Sequence, residues 1–177
     1  LGWVVGYPLT RLIRRYPNLI LVIPRPGFSD NSKYFYLYAA EQLAGRGRVV
    51  LLSGDSVIRN RVIEAGGVAV THPSWRSLNL LLRCRTVATD VSDWFDYGAY
   101  PLTADATRVQ IWHGAPLKHI ELALFEWRLS HLPAWLRLLL RIQKTVIGRY
   151  PRFDLVVATS QGFIRDAFAH SFEAREF

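Results

Sequence analysis

The sequence predicts an α/β protein: a Rossmann-like, mainly parallel sheet with helices on both faces. Two observations carry this reading. Short apolar runs without polar alternation recur along the chain, and stretches with helical spacing fall between them. An unalternating run suits a strand covered on both faces, as in a parallel sheet. Size agrees: 177 residues, half of them apolar, are enough for one good-sized domain with a large core. That composition excludes general disorder.

The first run, Leu19-Ile20-Leu21-Val22-Ile23, ends at a turn, Pro24-Arg25-Pro26-Gly27. From Ser32 the spacing predicts a helix with Phe35, Tyr38, Ala39 and Leu43 on one face, closed by Gly45 and Gly47. Arg48–Leu52 is the second strand. A helix over Ser56–Ala65 follows, with Asp55 or Ser56 as its cap. Gly67–Thr71 reads as the third strand, Ser74–Leu82 as a helix and Thr86–Thr89 as the fourth strand. Asp90–Ala106 is polar and aromatic without a period. Arg108–Trp112 is the fifth strand, and Asp154–Thr159 the sixth, followed by a helix over Gln161–Ala169.

Before that sixth strand lies the most periodic helix. Pro133 suits its first turn and Gly148 its C-terminal cap, with Pro151 just beyond. Trp135, Leu138, Leu139, Ile142 and Val146 fall on one face; Arg137, Arg141 and Lys144 fall on the opposite one. A basic helix rich in Trp and Leu suits a membrane interface with anionic headgroups. It equally suits a surface helix packed on the sheet.

The charge of +8 is unevenly placed. Residues 30–127 balance at ten bases and ten acids, whereas 1–29 carry four Arg and no acid and 128–152 carry six bases and no acid. The excess therefore belongs to two segments and favours an anionic lipid surface or a phosphorylated substrate. No recognised nucleic-acid motif accompanies it, so nucleic acid is not an expected partner. One Cys excludes an internal disulfide framework. No apolar run reaches the roughly 18 residues of a membrane span. Residues 1–18 read as a basic segment, either a truncated surface helix or one near a membrane. The start at Leu1 and the absence of Met lead us to expect a piece of something longer.

Ligands of open parallel sheets bind beyond the carboxyl ends of the strands. The loop Trp112–Lys118 follows the fifth strand, which makes it the first place to look for chemistry. His113 titrates near neutrality and suits a general base toward a hydroxyl. Gly114 permits close approach to the backbone, Pro116 stiffens the turn, and Lys118 suits phosphate. Asp90, Asp93 and Asp96 suit a metal or a polyol, but read better as solvated loop carboxylates. Ser160 reads as a helix cap and His72 as structural. Cys84 has no partner at zinc-ligand spacing, so no metal site or cofactor is expected.

The segment Arg108-Val-Gln-Ile-Trp-His-Gly-Ala-Pro-Leu-Lys118 resembles the signature Gln-x-Trp-His-Gly-x-Pro-Leu-Lys of the CDP-glycerol glycerophosphotransferases, the teichoic acid primases and polymerases. Asn31-Ser-Lys-Tyr34 and Phe153–Ser160 also resemble that family, and the likeness spans roughly residues 19–170. It implies the N-terminal, acceptor-side half of a two-domain GT-B transferase, with the basic helix as an insert at 131–149. The CDP-glycerol-binding C-terminal domain would be absent, leaving the fragment inactive alone. By the resemblance, His113 is the base toward the acceptor hydroxyl, and Lys118, Gly114, Pro116 and Asn31 bind substrate. Arg137, Arg141 and Lys144 face the membrane. The implied partners are a lipid-linked phosphorylated acceptor, CDP-glycerol and an anionic membrane surface, at the cytoplasmic face of the cell membrane. A non-catalytic membrane-surface domain is the alternative.

Overall fold

A computed structural model describes residues 10, 12–91, 102, 103, 105–112, 120–147, 153–158, 162–172 and 174, with backbone alone at 121, 143–147, 163 and 164. Six strands form one sheet: β1 (Tyr16–Ile23), β2 (Arg48–Ser53), β3 (Ala69–Thr71), β4 (Cys84–Thr89), β5 (Thr107–Gln110) and β6 (Leu155–Val156). Their order is β3-β2-β1-β4-β5-β6, and every neighbouring pair is parallel. The unalternating runs have the expected cause, since both faces are covered. Leu21 stands in register between Val50 of β2 and Val87 of β4, and all three are fully buried.

Six helices accompany the sheet among the described residues: α1 (Asp30–Gln42), α2 (Ser56–Glu64), α3 (Trp75–Arg83), α4 (Glu121–Ser130), α5 (Ala134–Ile147) and α6 (Phe163–Phe172). On one face, Leu19, Leu21, Ile23, Val50, Leu52 and Val87 pack with Leu80 and Leu81 of α3. On the other, Val22, Val49 and Leu51 meet Tyr36 and Ala39 of α1 and Val62 of α2. A third cluster joins Phe153 and Val156 to Phe168 and Phe172 of α6, with Trp112 against it. β5 and β6 are further tied by Arg108 N–H to Asp154 Oδ2 at 2.8 Å and Asp154 N–H to Arg108 O at 2.9 Å.

Local chemistry sets the helix starts. The Asp55 carboxylate accepts from the N–H groups of Val57 (2.8 Å) and Ile58 (3.3 Å), capping α2. Ser74 and Ser77 form a reciprocal capping box on α3. Gly45, at φ +72°, makes the turn between α1 and β2.

The structure departs from the expectations at several points. Tyr38 is exposed, and Tyr36 takes its place in the core, because its hydroxyl both donates to Val68 O (3.2 Å) and accepts from Val68 N–H (2.9 Å). Asp90 is no solvated loop carboxylate: it is fully buried. Helix α4 was not foreseen at all. The strands are also displaced at their ends, β4 beginning at Cys84 and β6 covering two residues. Gly148, Pro151 and Ser160, and the loop carboxylates Asp93 and Asp96, lie outside the described residues.

Candidate functional site at the switch point

The strand order fixes where a site belongs. The chain builds outward from β1 through β2 to β3, then returns to lay β4 on the other side of β1. The loops leaving β1 and β4 therefore part in opposite directions, and a crevice opens between them at the carboxyl ends of the strands.

Buried polar groups line this crevice. Thr89 Oγ1, at the end of β4, donates to Ile23 O at 2.8 Å, tying the two strand ends together. Asp90 Oδ1 accepts the Arg25 N–H at 2.7 Å. The Arg25 guanidinium reaches Asp30 Oδ2 at 2.8 Å and Ser29 Oγ at 3.3 Å. Between them the β1–α1 loop carries Gly27, Phe28 and Asp30 at φ +95°, +43° and +54°. Left-handed backbone at two non-glycine residues costs on the order of 1 kcal/mol or more each. The Phe28 ring packs edge-on against Tyr36 and Asp30 pairs with Arg25, interactions that offset this cost.

The exit of β5 is held from three directions. Gln110 is fully buried; its Nε2 donates to Val91 O (3.3 Å) and its Oε1 accepts the Trp112 N–H (3.0 Å). Asn31, in the first turn of α1, donates through Nδ2 to Ile111 O (2.8 Å) and to Trp112 O. The Trp112 ring lies 5.2 Å from that of Phe172 and 6.4 Å from that of Phe168. Gln110, Arg25 and Asp90 were given no such role from the sequence. The available signal was a primary amide within an otherwise apolar run, Val109-Gln110-Ile111.

Beside the crevice a cavity of about 300 Å³ lies at the ends of β1, β2 and β3, lined by Arg25, Ser53, Gly54, Asp55 and His72 among others. His72 is 7% exposed, and burial lowers its pKa below the ordinary value. Its Nδ1 lies 2.9 Å from Ser77 Oγ, whose hydrogen goes to Ser74 O, so the ring nitrogen is the donor. Burial pushes the Cys84 thiol up to about 12, which keeps it protonated and unreactive. Among the described residues, no group of three or more His, Cys, Asp or Glu is arranged to hold a metal.

His113, Gly114, Pro116 and Lys118 lie outside the described residues, as does the side chain of Lys144. On α5, Trp135, Leu138, Leu139 and Ile142 are 65%, 61%, 53% and 50% exposed, so this apolar face is turned to solvent and not onto the sheet. Arg141 pairs with Glu126 of α4 at 3.2 Å.

Comparison with known proteins sets this geometry in a family. Solved structures of the wall teichoic acid polymerase TagF share the fold. A His-to-Asn variant soaked with CDPG for 30 minutes superimposes with TM-score 0.62 at 16% identity, covering 96% of this chain and 41% of that one. A His-to-Ala variant gives 0.60 at 17% identity, covering 96% and 40%. This chain thus spans about two-fifths of the TagF chain. No curated protein matches it. A family model described as CDP-Glycerol:Poly(glycerophosphate) glycerophosphotransferase matches residues 8–176. The chain belongs to that family.

Proposed function

We propose that this chain is the acceptor-side half of a GT-B-type glycerophosphotransferase acting in the synthesis of teichoic acid or a related cell-wall polymer. The observation that carries the reading is the Gln110–Lys118 sequence motif, which begins at the last residue of β5, in a chain of this family. In the proposed reaction an acceptor hydroxyl attacks the phosphorus bearing the glycerol of CDP-glycerol. The new P–O bond forms as the phosphoanhydride bond to CMP breaks, CMP leaves, and His113 takes the hydroxyl proton. Lys118 offsets charge on the phosphate, while Gly114 and Pro116 shape the loop around it. Asn31 joins the site from α1. The lipid-linked acceptor binds across residues 19–170, and the CDP-linked donor binds in a second half beyond this chain.

The test is transfer of labelled glycerol phosphate from CDP-glycerol to a lipid-linked glycerol phosphate acceptor by the protein carrying both halves. His113→Ala is expected to lower kcat by about 10²-fold or more, the scale of general-base loss. Near-wild-type turnover in that variant removes the assigned role.

A second reading concerns location. We propose that α5 rests on the cytoplasmic face of the membrane, its apolar face in the interface and Arg137, Arg141 and Lys144 toward anionic headgroups. The exposure of Trp135, Leu138, Leu139 and Ile142 supports this. Residues 1–18 add a basic segment on the same reading. Among the described residues no helix is long and apolar enough to cross a membrane. The same surface without chemistry would make the chain a membrane-binding domain, and the transfer assay separates the two.

A further inference from the structure

We infer that the groove between α1 and α2 binds an amphiphilic anion, a phosphate monoester carrying an alkyl or aryl body. Such a site does not depend on the transfer reaction. Helices α1 and α2 cover the same face of the sheet, where Val22, Val49 and Leu51 pack with Tyr36, Ala39 and Val62. Beside this core a cavity of about 360 Å³ opens between the two helices, a volume within the range of small-molecule sites. Lys33, Leu37 and Ala40 supply its α1 wall, and Ile58, Arg61 and Val62 its α2 wall. Positions 33, 37 and 40 recur at helical spacing, as do 58, 61 and 62, so each set stands on one side of its helix.

The chemistry of the lining selects the ligand. Its polar side chains are Lys33, Arg61 and Tyr36, and no carboxylate contributes to it. The Tyr36 hydroxyl is committed to both backbone groups of Val68. Among the described residues neither Lys33 nor Arg61 makes an ion pair or a side-chain hydrogen bond. By contrast, Arg25 is paired with Asp30, and Arg59 donates to Ser53 O at 3.0 Å. A single surface cation is ordinary. Two of them, one on each wall of an apolar groove without an acid, match a ligand that brings negative charge and apolar surface together. A phosphate monoester carries about −1.5 to −2 at neutral pH, which answers both cations, whereas a carboxylate answers one. The Arg61 guanidinium suits two phosphate oxygens at once, and the Lys33 ammonium adds a point charge. Inorganic phosphate would leave the walls wet. An alkyl or aryl body covers Leu37, which is 51% exposed, and Ile58 opposite it.

Octyl phosphate, titrated calorimetrically into this chain below its micelle concentration, is the probe. It is expected to bind about ten-fold or more tightly than octanol, which lacks the head, and than inorganic phosphate, which lacks the body. Lys33→Gln with Arg61→Gln should weaken it by about ten-fold or more. Both residues are exposed, so the melting temperature should stay within about 2 °C of wild type. Ala40→Leu adds bulk to the α1 wall and should weaken binding by about ten-fold with the charge unaltered. Arg137→Glu with Arg141→Glu should leave it unchanged, which separates the groove from the apolar face of α5. In that background, vesicles containing phosphatidic acid distinguish the sources of such a ligand. Retention weakened further by the Lys33 and Arg61 changes supports a bilayer lipid, and unweakened retention supports a free amphiphile. Octyl phosphate binding no tighter than that of octanol or inorganic phosphate overturns the proposal, as does wild-type affinity in the Lys33 and Arg61 double variant. None of these readouts involves transfer activity, so they stand or fall apart from the role proposed for His113.

Discussion

Gly67 sits where α1, α2 and the approach to β3 converge. A Cβ placed there would lie 2.6 Å from the Tyr36 hydroxyl, 2.8 Å from Val62 Cγ1 and 2.9 Å from Val62 O. One of these atoms is backbone and the hydroxyl is committed to Val68 at both its donor and its acceptor, so neither can yield cheaply. Gly67→Ala is expected to destabilise the fold by about 1–3 kcal/mol in urea unfolding, the range for overpacking a filled site. Tyr36→Phe should cost about 1–2 kcal/mol by leaving the Val68 groups short of a partner. His72 gives a pH signature. Its folded pKa is depressed by burial, so between that value and about 6.5 the unfolded chain binds more protons than the folded one. Stability therefore rises with pH through this window and is lost on acidification from about 6.5 downward. The urea midpoint should fall as the pH is lowered from about 7 to 5, and His72→Asn should make the slope shallower. At this scale the sequence is legible where a residue type has one dominant use, as with the pair Asp55 and Ser56 at a helix start, of which Asp55 is the cap. It was misread at Asp90, whose burial depends on meeting the Arg25 N–H 65 positions away.

Elements were legible in proportion to how local their causes are. Strands β1 and β2 announce themselves because a run covered on both faces needs no partner information to be recognised. Helix α3 carries its own start in the capping box of Ser74 and Ser77. Helix α4 has no such signal. Ile120 makes no side-chain cap bond, and its buried residues Leu122, Ala123 and Leu129 are interrupted by Glu126, Trp127 and Arg128. It is made by packing near α6, which no local pattern encodes. For α1 the period was visible but its phase was not, since Tyr34, Tyr36 and Tyr38 are alike in the sequence and only Tyr36 reaches Val68. Helix α5 shows the reverse: its two faces were plain, and its setting decides what the apolar one does. With that face exposed, binding to vesicles rich in anionic lipid should shift Trp emission to the blue. Arg137→Glu with Arg141→Glu should weaken this binding by about ten-fold or more at low salt, at about 1 kcal/mol per charge. Binding of equal strength to neutral vesicles, or unaltered by about 0.5 M salt, would remove the electrostatic part of the proposal.

At the scale of the whole molecule, the parallel order β3-β2-β1-β4-β5-β6 sets the carboxyl ends of β1, β4 and β5 side by side. Three segments that are distant in sequence end at one crevice: the loop after β1 with Arg25 and Asn31, the end of β4 with Asp90, and the exit of β5 with Gln110 and Trp112. Such a crevice is open on the side away from the sheet. On the proposed reading His113 takes a proton from an acceptor hydroxyl, but phosphoryl transfer also needs the donor held in line and its leaving group stabilised, which is where most of the rate comes from. On the proposed arrangement those tasks belong to a second half. The chain alone is therefore expected to release no CMP from CDP-glycerol above the uncatalysed rate, with or without acceptor. It should still retain the acceptor on anionic vesicles. Joining it to a CDP-glycerol-binding half should restore CMP release, and restoration should fail with His113→Ala. The informative measurement is CMP release by the isolated chain at saturating CDP-glycerol. Turnover at about 1 s⁻¹ or faster, ordinary for an enzyme, would show that residues 1–177 hold the donor themselves and would end the two-half account.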